Sequence, residues 1–484
     1  MKSVAMIAYF FPPEGCAGVY RPLRFLRELT QKGWSATVIC GDPYRHERYD
    51  PDLLTRVPRE ARIIRVRGRD PWQAIQAWRG DAVEAKLSTA SSDIAQQIVA
   101  AHHSPFRSRL RASVRTIEDW CYRPDMAMPW IQPAVKELVQ VCRNTRPDVI
   151  WATIGPVSSG VVATRASRRT GVPYVLDFRD PWGLNYYESD VRRPEWAKSM
   201  DNRMMRRMLW NAQSVIFLFR SVAECYVRFF DGALDDRKVH IIPNGFDGDI
   251  EAFVHAPSDT CRILYTGTLS TYRYDTLLHA LHMLRTEQPQ LAKQLEVLFV
   301  GEGMEDLQTQ AADLGLSEMV KTAAPTSSAE ITRLQREAHA LLVLGRSPQR
   351  AGHELVAGAK LFVYLKAGRP IVGVVPQDET RKVLQRVGVT TVAEADSVPD
   401  ITAVLRDVLS RWSAQTLASL VPNRHACLAY SSEQQTKALE RALEGTSPQE
   451  RFISGTSDIP PSLRAMIAPR YPFGENLSNT RLTG

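Results

Sequence analysis

Lys360 opens the stretch Lys360-Leu361-Phe362-Val363-Tyr364-Leu365-Lys366, which stops at Gly368-Arg369-Pro370 and resumes as the apolar run Ile371–Val375. A cation on a helix that leads into a buried strand can hold phosphate in the ligand crevice of a sheet. Arg273, at the end of Tyr265-Thr266-Gly267-Thr268-Leu269-Ser270-Thr271-Tyr272-Arg273, can make paired hydrogen bonds to a diphosphate. Its charge would count for more as such a group departs. Gly267 and Thr268 stand where the preceding strand should end, and Gly301-Glu302-Gly303 repeats the strand-then-glycine arrangement. Gly15 and Gly18 fall between an apolar strand and a helix, where backbone amides can meet an anion or the loop simply turns the chain. Their spacing is not Gly-x-Gly-x-x-Gly, which argues against a dinucleotide-dependent dehydrogenase. In Asp177-Phe178-Arg179-Asp180-Pro181-Trp182, Arg179 can hold a phosphate and Asp180 a hydroxyl, or the two can pair with each other as a buried salt bridge.

The elements that must carry these residues alternate. In the first half, Ser3–Tyr9, Ser35–Cys40, Arg62–Val66, Val149–Thr153, Tyr174–Asp177 and Ser214–Leu218 read as strands, and Tyr20–Lys32 as a helix ended by Gly33. In the second, Arg262–Tyr265, Leu295–Val300, Ala340–Leu344 and Pro370–Val375 read as strands between helical segments. Alternation of this kind predicts an α/β protein with parallel sheets and helices on both faces. Pro243-Asn244-Gly245 marks a turn between the halves. The expected division is residues 1–240, residues 241–426, a helix within 427–445 that returns to the first domain, and a tail, 446–484, without periodicity.

A chain of 484 residues with 44% hydrophobic content can fill two ordinary cores. It contains no run of about 20 apolar residues and its N-terminus reads as a strand, so a cytoplasmic protein is expected. The seven cysteines are scattered and are expected as free thiols. No metal cofactor is expected: Asp247-Gly248-Asp249 is an isolated acidic pair beside the turn. The net charge of +8 favours anionic partners. Phe106–Arg115, where arginines alternate with apolar residues ahead of Trp120 and Tyr122, reads either as a solvated helix face or as a peripheral contact with an anionic membrane. No recognition module accompanies the charge, which argues against nucleic acid.

Taken in order, the Pro12–Gly18 loop, Asp177–Trp182, Ile242–Asp247, Tyr265–Arg273, Val300–Gly303 and Lys360–Val374 resemble the motifs of family-four glycosyltransferases. The resemblance spans residues 4–445. It implies the GT-B fold, two facing Rossmann-like domains, with a nucleotide sugar as substrate and no bound cofactor. It further implies retaining transfer to a glycan or lipid-linked acceptor, in the branch that builds surface polysaccharides. By the same resemblance, Gly15 and Gly18 lie near the donor diphosphate, with Gly267, Thr268, Gly301 and Gly303 on the donor side. Arg273 and Lys360 are the cations that stabilise the leaving group, Glu354 touches the transferred sugar, and Arg179 falls where many members carry an active-site histidine, its pairing with Asp180 being common in the polysaccharide branch. Thr268 replaces a cation common in the family. Val363 stands where the family has a ribose-binding glutamate, which leaves that contact to Glu379 or Asp378, or leaves a weakened binding or scaffold protein.

Overall fold

The computed structural model describes residues 1–42, 49–68, 123–182, 195–230, 232–255, 258–346 and 355–447. Seven strands form the first sheet: β1 Ser3–Ile7, β2 Ser35–Gly41, β3 Arg62–Val66, β4 Val149–Ile154, β5 Tyr174–Phe178, β6 Ser214–Phe217 and β7 Val239–Ile241. Six form the second: β8 Cys261–Thr266, β9 Leu295–Val300, β10 Val320–Ala323, β11 Ala340–Leu344, β12 Ile371–Val374 and β13 Val392–Ala393. Their orders are β3-β2-β1-β4-β5-β6-β7 and β10-β9-β8-β11-β12-β13. The pairs β1 with β4 and β8 with β11 are parallel, like the rest of both sheets. Strand order therefore reverses between β1 and β4, and again between β8 and β11. Those are the two switch points outside whose C-terminal ends α/β proteins bind ligands.

Central strands follow directly from their residues. Every residue of β4, β5 and β11 is buried, as a strand covered by helices on both faces requires. The helix Tyr20–Gln31 buries Leu26 and Leu29 against the first sheet, and Leu23 beside Val19 and Leu53. Beyond it Gly33, at φ +83°, lets the Trp34 amide return to the Leu29 carbonyl at 2.9 Å. β7, β10 and β13 lie outside the expected strands, and all three are sheet edges. These three are short, and β10, Val320-Lys321-Thr322-Ala323, is half polar, so they carry no apolar run to read.

Two chain crossings join the halves. The Phe246 amide donates to the Tyr430 carbonyl at 3.1 Å, and the Ser432 amide to the Phe246 carbonyl at 2.9 Å. Past the crossing, the helix Ser432–Leu443 buries Leu439, Ala442 and Leu443 beside Val4, Met6 and Trp34 of the first domain. The Trp34 indole donates to Glu440 at 3.0 Å. Gly368-Arg369-Pro370 fastens the linker to the second domain. Gly368 adopts φ +61°, and a Cβ there would stand 2.0 Å from the Glu251 carbonyl. Arg369, only 5% exposed, donates to the carbonyls of Val254 and Arg336. The Arg336 side chain in turn grips the Glu251 carboxylate at 2.7 and 2.9 Å. The residues Phe106–Arg115, Cys121 and the tail beyond residue 447 lie outside the described residues, while the other six cysteines are free thiols.

Candidate active site

Lys360 stands in the first turn of the helix Ala359–Lys366, which β12 follows. The helix is tied to the end of β8, because the Tyr364 hydroxyl accepts the Thr266 amide at 2.9 Å. Its ammonium is buried over the Tyr265 ring at 3.8 Å, with the Tyr272 ring at 5.2 Å. It has no hydrogen-bond partner among the described residues. Burial, and then the positive charge of Arg346, lower its pKa to about 7. The helix start adds nothing favourable, since the macrodipole is positive there. A cation held on aromatic faces, desolvated and with no counter-ion among the described residues, is a site prepared for an anion.

Gly267 makes this placement possible. It has φ +111°, and a Cβ on it would lie 2.7 Å from the Lys360 ammonium. Gly301, at φ +149°, is required for a parallel reason: its Cβ would meet the Gly267 carbonyl at 2.4 Å. The loops after β8 and β9 are joined by the Leu269 amide on the Glu302 carbonyl at 3.0 Å. Thr268 and Gly303 are exposed on these loops, and the Thr268 carbonyl accepts the Tyr265 hydroxyl at 2.8 Å. A small pocket opens here, lined by Tyr265, Tyr272, Arg346, Gly358, Lys360 and Thr380 among others.

Arg346 had not been singled out from the sequence. It follows Gly345 at the end of β11 as Thr268 follows Gly267 at the end of β8, so strand-then-glycine was the available signal. Arg273 lies on the adjacent loop with its guanidinium engaged by Asp396, and by Asp275 at 3.8 Å. Asp378 caps the helix Glu379–Arg386 by accepting the Arg381 amide at 3.0 Å, and burial raises its pKa to about 6. Glu379 pairs with Lys382 at 2.8 Å. Of that segment it is Thr380 that lines the pocket. Val363 is 46% exposed, and Glu354 lies outside the described residues.

At the first switch point, Arg179 is half-buried and donates to the Gly155 carbonyl at the end of β4. A Cβ at Gly18 would stand 2.6 Å from its guanidinium, so the glycine loop and Arg179 pack face to face. Gly15 is buried in the same loop, ahead of the turn Ala17–Val19. The Arg179 Nε has no partner among the described residues. A buried ion pair at this strand end is formed by Asp177 with Arg21, at 2.9 and 3.0 Å. Arg21 also donates to the carbonyls of Ile242 and Pro243, both at 2.9 Å, which ties β5 to the interdomain turn. Asp180 lies close enough to the buried Tyr226 phenol to disfavour its ionisation, second to burial itself. Asp247 of the acidic pair is held by Arg27 at 3.1 Å and by Ser432. Among the described residues, no group of His, Cys, Asp or Glu is arranged to hold a metal ion. The Ser221 hydroxyl, just past β6, donates to the Leu355 carbonyl, just ahead of the Lys360 helix, at 3.2 Å. The C-terminal edges of the two sheets are joined there.

Residues 18–245 match the family model described as a glycosyl transferase 4-like domain. No curated protein matches the sequence. Among solved structures, the chain is similar to the lipopolysaccharide outer core galactosyltransferase WaaB, at 12% identity and TM-score 0.54 over 92% of this chain and 99% of that one. It is similar to the sucrose-phosphate synthase of Thermosynechococcus elongatus, at 14% identity and TM-score 0.56 over 91% and 98%. It is also similar to TarM of S. aureus, solved in complex with UDP, at 9% identity and TM-score 0.54 over 92% and 100%. At such identities these likenesses show the fold, which is GT-B.

Proposed function

We propose, from the premise that the first domain belongs to the glycosyl transferase 4-like family and the whole chain has the GT-B fold, that this protein is a retaining, nucleotide-sugar-dependent glycosyltransferase. Its acceptor is a glycan or a lipid-linked glycan, and its setting is surface polysaccharide assembly at the cytoplasmic face of a membrane. The observation that carries the reading is the Lys360 ammonium, buried at the switch point of the second sheet without a counter-ion among the described residues, with Arg346 beside it. A donor diphosphate supplies the missing anion. The likeness to TarM, whose solved complex holds UDP, supports a nucleotide-bearing ligand. The likeness to an enzyme of the lipopolysaccharide outer core supports the class of product.

In this reading Lys360 and Arg346 neutralise charge on the departing diphosphate, and Arg273 joins them by exchanging Asp396 for phosphate oxygens. Donors fixed in a water-poor pocket act most strongly where charge develops, which is on the leaving group. The acceptor oxygen attacks on the face the diphosphate leaves, so no protein nucleophile is needed. Arg179 and Asp180 serve the acceptor side, with Gly18 and Gly155 leaving room for the guanidinium. A screen of nucleotide sugars for release of nucleoside diphosphate tests this directly. Turnover should fall by roughly 10²-fold or more in Lys360→Ala and in Arg346→Ala, with thermal midpoints showing folded protein. Wild-type turnover in both folded variants would overturn the assignment. Absence of any nucleotide-sugar binding by calorimetry would instead make the chain a scaffold.

A further inference from the structure

The helix Glu195–Asn211, between β5 and β6, buries Ala197, Met205, Met208 and Leu209. Its outward stripe is Trp196, Met200, Arg203, Arg207 and Trp210, every one of them exposed. The spacings of four, three, four and three residues keep the stripe on one side of an α-helix. Trp196 is 57% exposed, Met200 54% and Trp210 64%. Such side chains at the two ends of a stripe, with arginines between them, are far from the usual polar outer face of a soluble helix. The stripe runs about 21 Å from one tryptophan to the other.

The charge on this face is of one sign. Neither Arg203 nor Arg207 is ion-paired among the described residues, and the stripe holds no acidic residue. The helix's Asp201 is 6% exposed and bound to Arg123 at 2.6 Å, so it does not oppose them. Arg123 also lies over the Trp196 ring at 5.3 Å and steadies that end of the stripe. We infer that this stripe docks the protein in the plane of an anionic lipid bilayer, with Trp196, Met200 and Trp210 in the headgroup region and Arg203 and Arg207 on acidic headgroups. Because the helix enters from β5, the Trp196 end lies toward the C-terminal edge of the first sheet, the edge on which Arg179 stands. Lipid docking at this stripe is independent of the transfer reaction proposed above.

Sedimentation of the full chain with phosphatidylcholine vesicles, with and without phosphatidylglycerol, tests it. Binding is expected only with phosphatidylglycerol and should weaken with salt. Arg203→Gln with Arg207→Gln should lower the partition coefficient about thirtyfold, since each basic residue near an anionic surface contributes roughly a factor of five. Brominated lipid should quench tryptophan fluorescence in the wild type and much less in Trp196→Phe with Trp210→Phe, a conservative pair that keeps the fold. Wild-type partitioning of the arginine variant, or undiminished quenching in the tryptophan variant, would overturn the proposal. So would a change of oligomeric state in either variant without lipid, which would make the stripe a contact between protein chains.

Discussion

Lys360 decides how the site responds to protons. Its pKa of about 7 reflects burial first and Arg346 second, so near neutral pH the pocket holds a mixture of ammonium and amine. A bound diphosphate favours the ammonium and raises that pKa. Binding is therefore complete below about pH 7, and each further unit of pH should cost up to tenfold in affinity, with one proton taken up. The donor diphosphate is a diester without a titration in this range, so the slope reports the protein. Calorimetry of a nucleotide sugar in buffers of differing ionisation enthalpy should show that uptake, and Lys360→Met should abolish it; a pH-independent wild type would refute the assignment. The same burial has a cost in the free protein. The folded-state pKa lies below the unfolded value of 10.5, so the penalty is present at neutral pH and disappears only as pH rises above the unfolded pKa. Lys360→Met should thus raise stability by about 1–4 kcal/mol near neutral pH while turnover is lost.

At the scale of elements, Gly-Arg-Pro fixes where the linker runs, and the cation that identifies the helix comes eight residues before the glycine. Gly368→Ala meets both a positive φ and the Glu251 carbonyl. It should destabilise the protein by about 2–3 kcal/mol, read as a lower urea midpoint at unchanged slope. A midpoint equal to wild type would show that the linker yields freely. The helix stop itself was plain from residue types, as were β4, β5 and β11, since each is an apolar run, broken by Thr153 in β4, by Asp177 in β5 and by nothing in β11. Edge strands β7, β10 and β13 were not, because pairing on one side needs no such run. The site divides along a similar line. Lys360 and the glycines could be found locally, but the tyrosine faces beneath the ammonium come from a strand and loop about ninety residues earlier, joined only by tertiary packing. The partner of Asp177 was hidden for the same reason: Arg21 is 156 residues away, whereas Arg179 and Asp180 are adjacent and of opposite charge.

At the scale of the whole molecule, the order of the chain and the order of its domains differ. The first core is built from β1 onward, yet it is closed by the helix Ser432–Leu443, which follows the entire second sheet. Leu439 is fully buried there beside Val4, Met6 and Trp34, while Glu440 holds the Trp34 indole. Folding of the first domain therefore requires a segment that arrives last, and the two crossings at Phe246 and Tyr430 bring it into place. Leu439→Ala removes a side chain from a core whose other members all lie in residues 4–242, apart from its own helix. It should cost about 2–5 kcal/mol, and the loss should appear as faster amide exchange in β1 and β2, with β8 and β9 little changed. If exchange rose only in the second sheet, the returning helix would be an appendage of the second domain. If it rises in the first, truncation before Ser432 must leave the face of β1 and its first helix uncovered, and a chain so shortened should aggregate instead of folding as two independent halves.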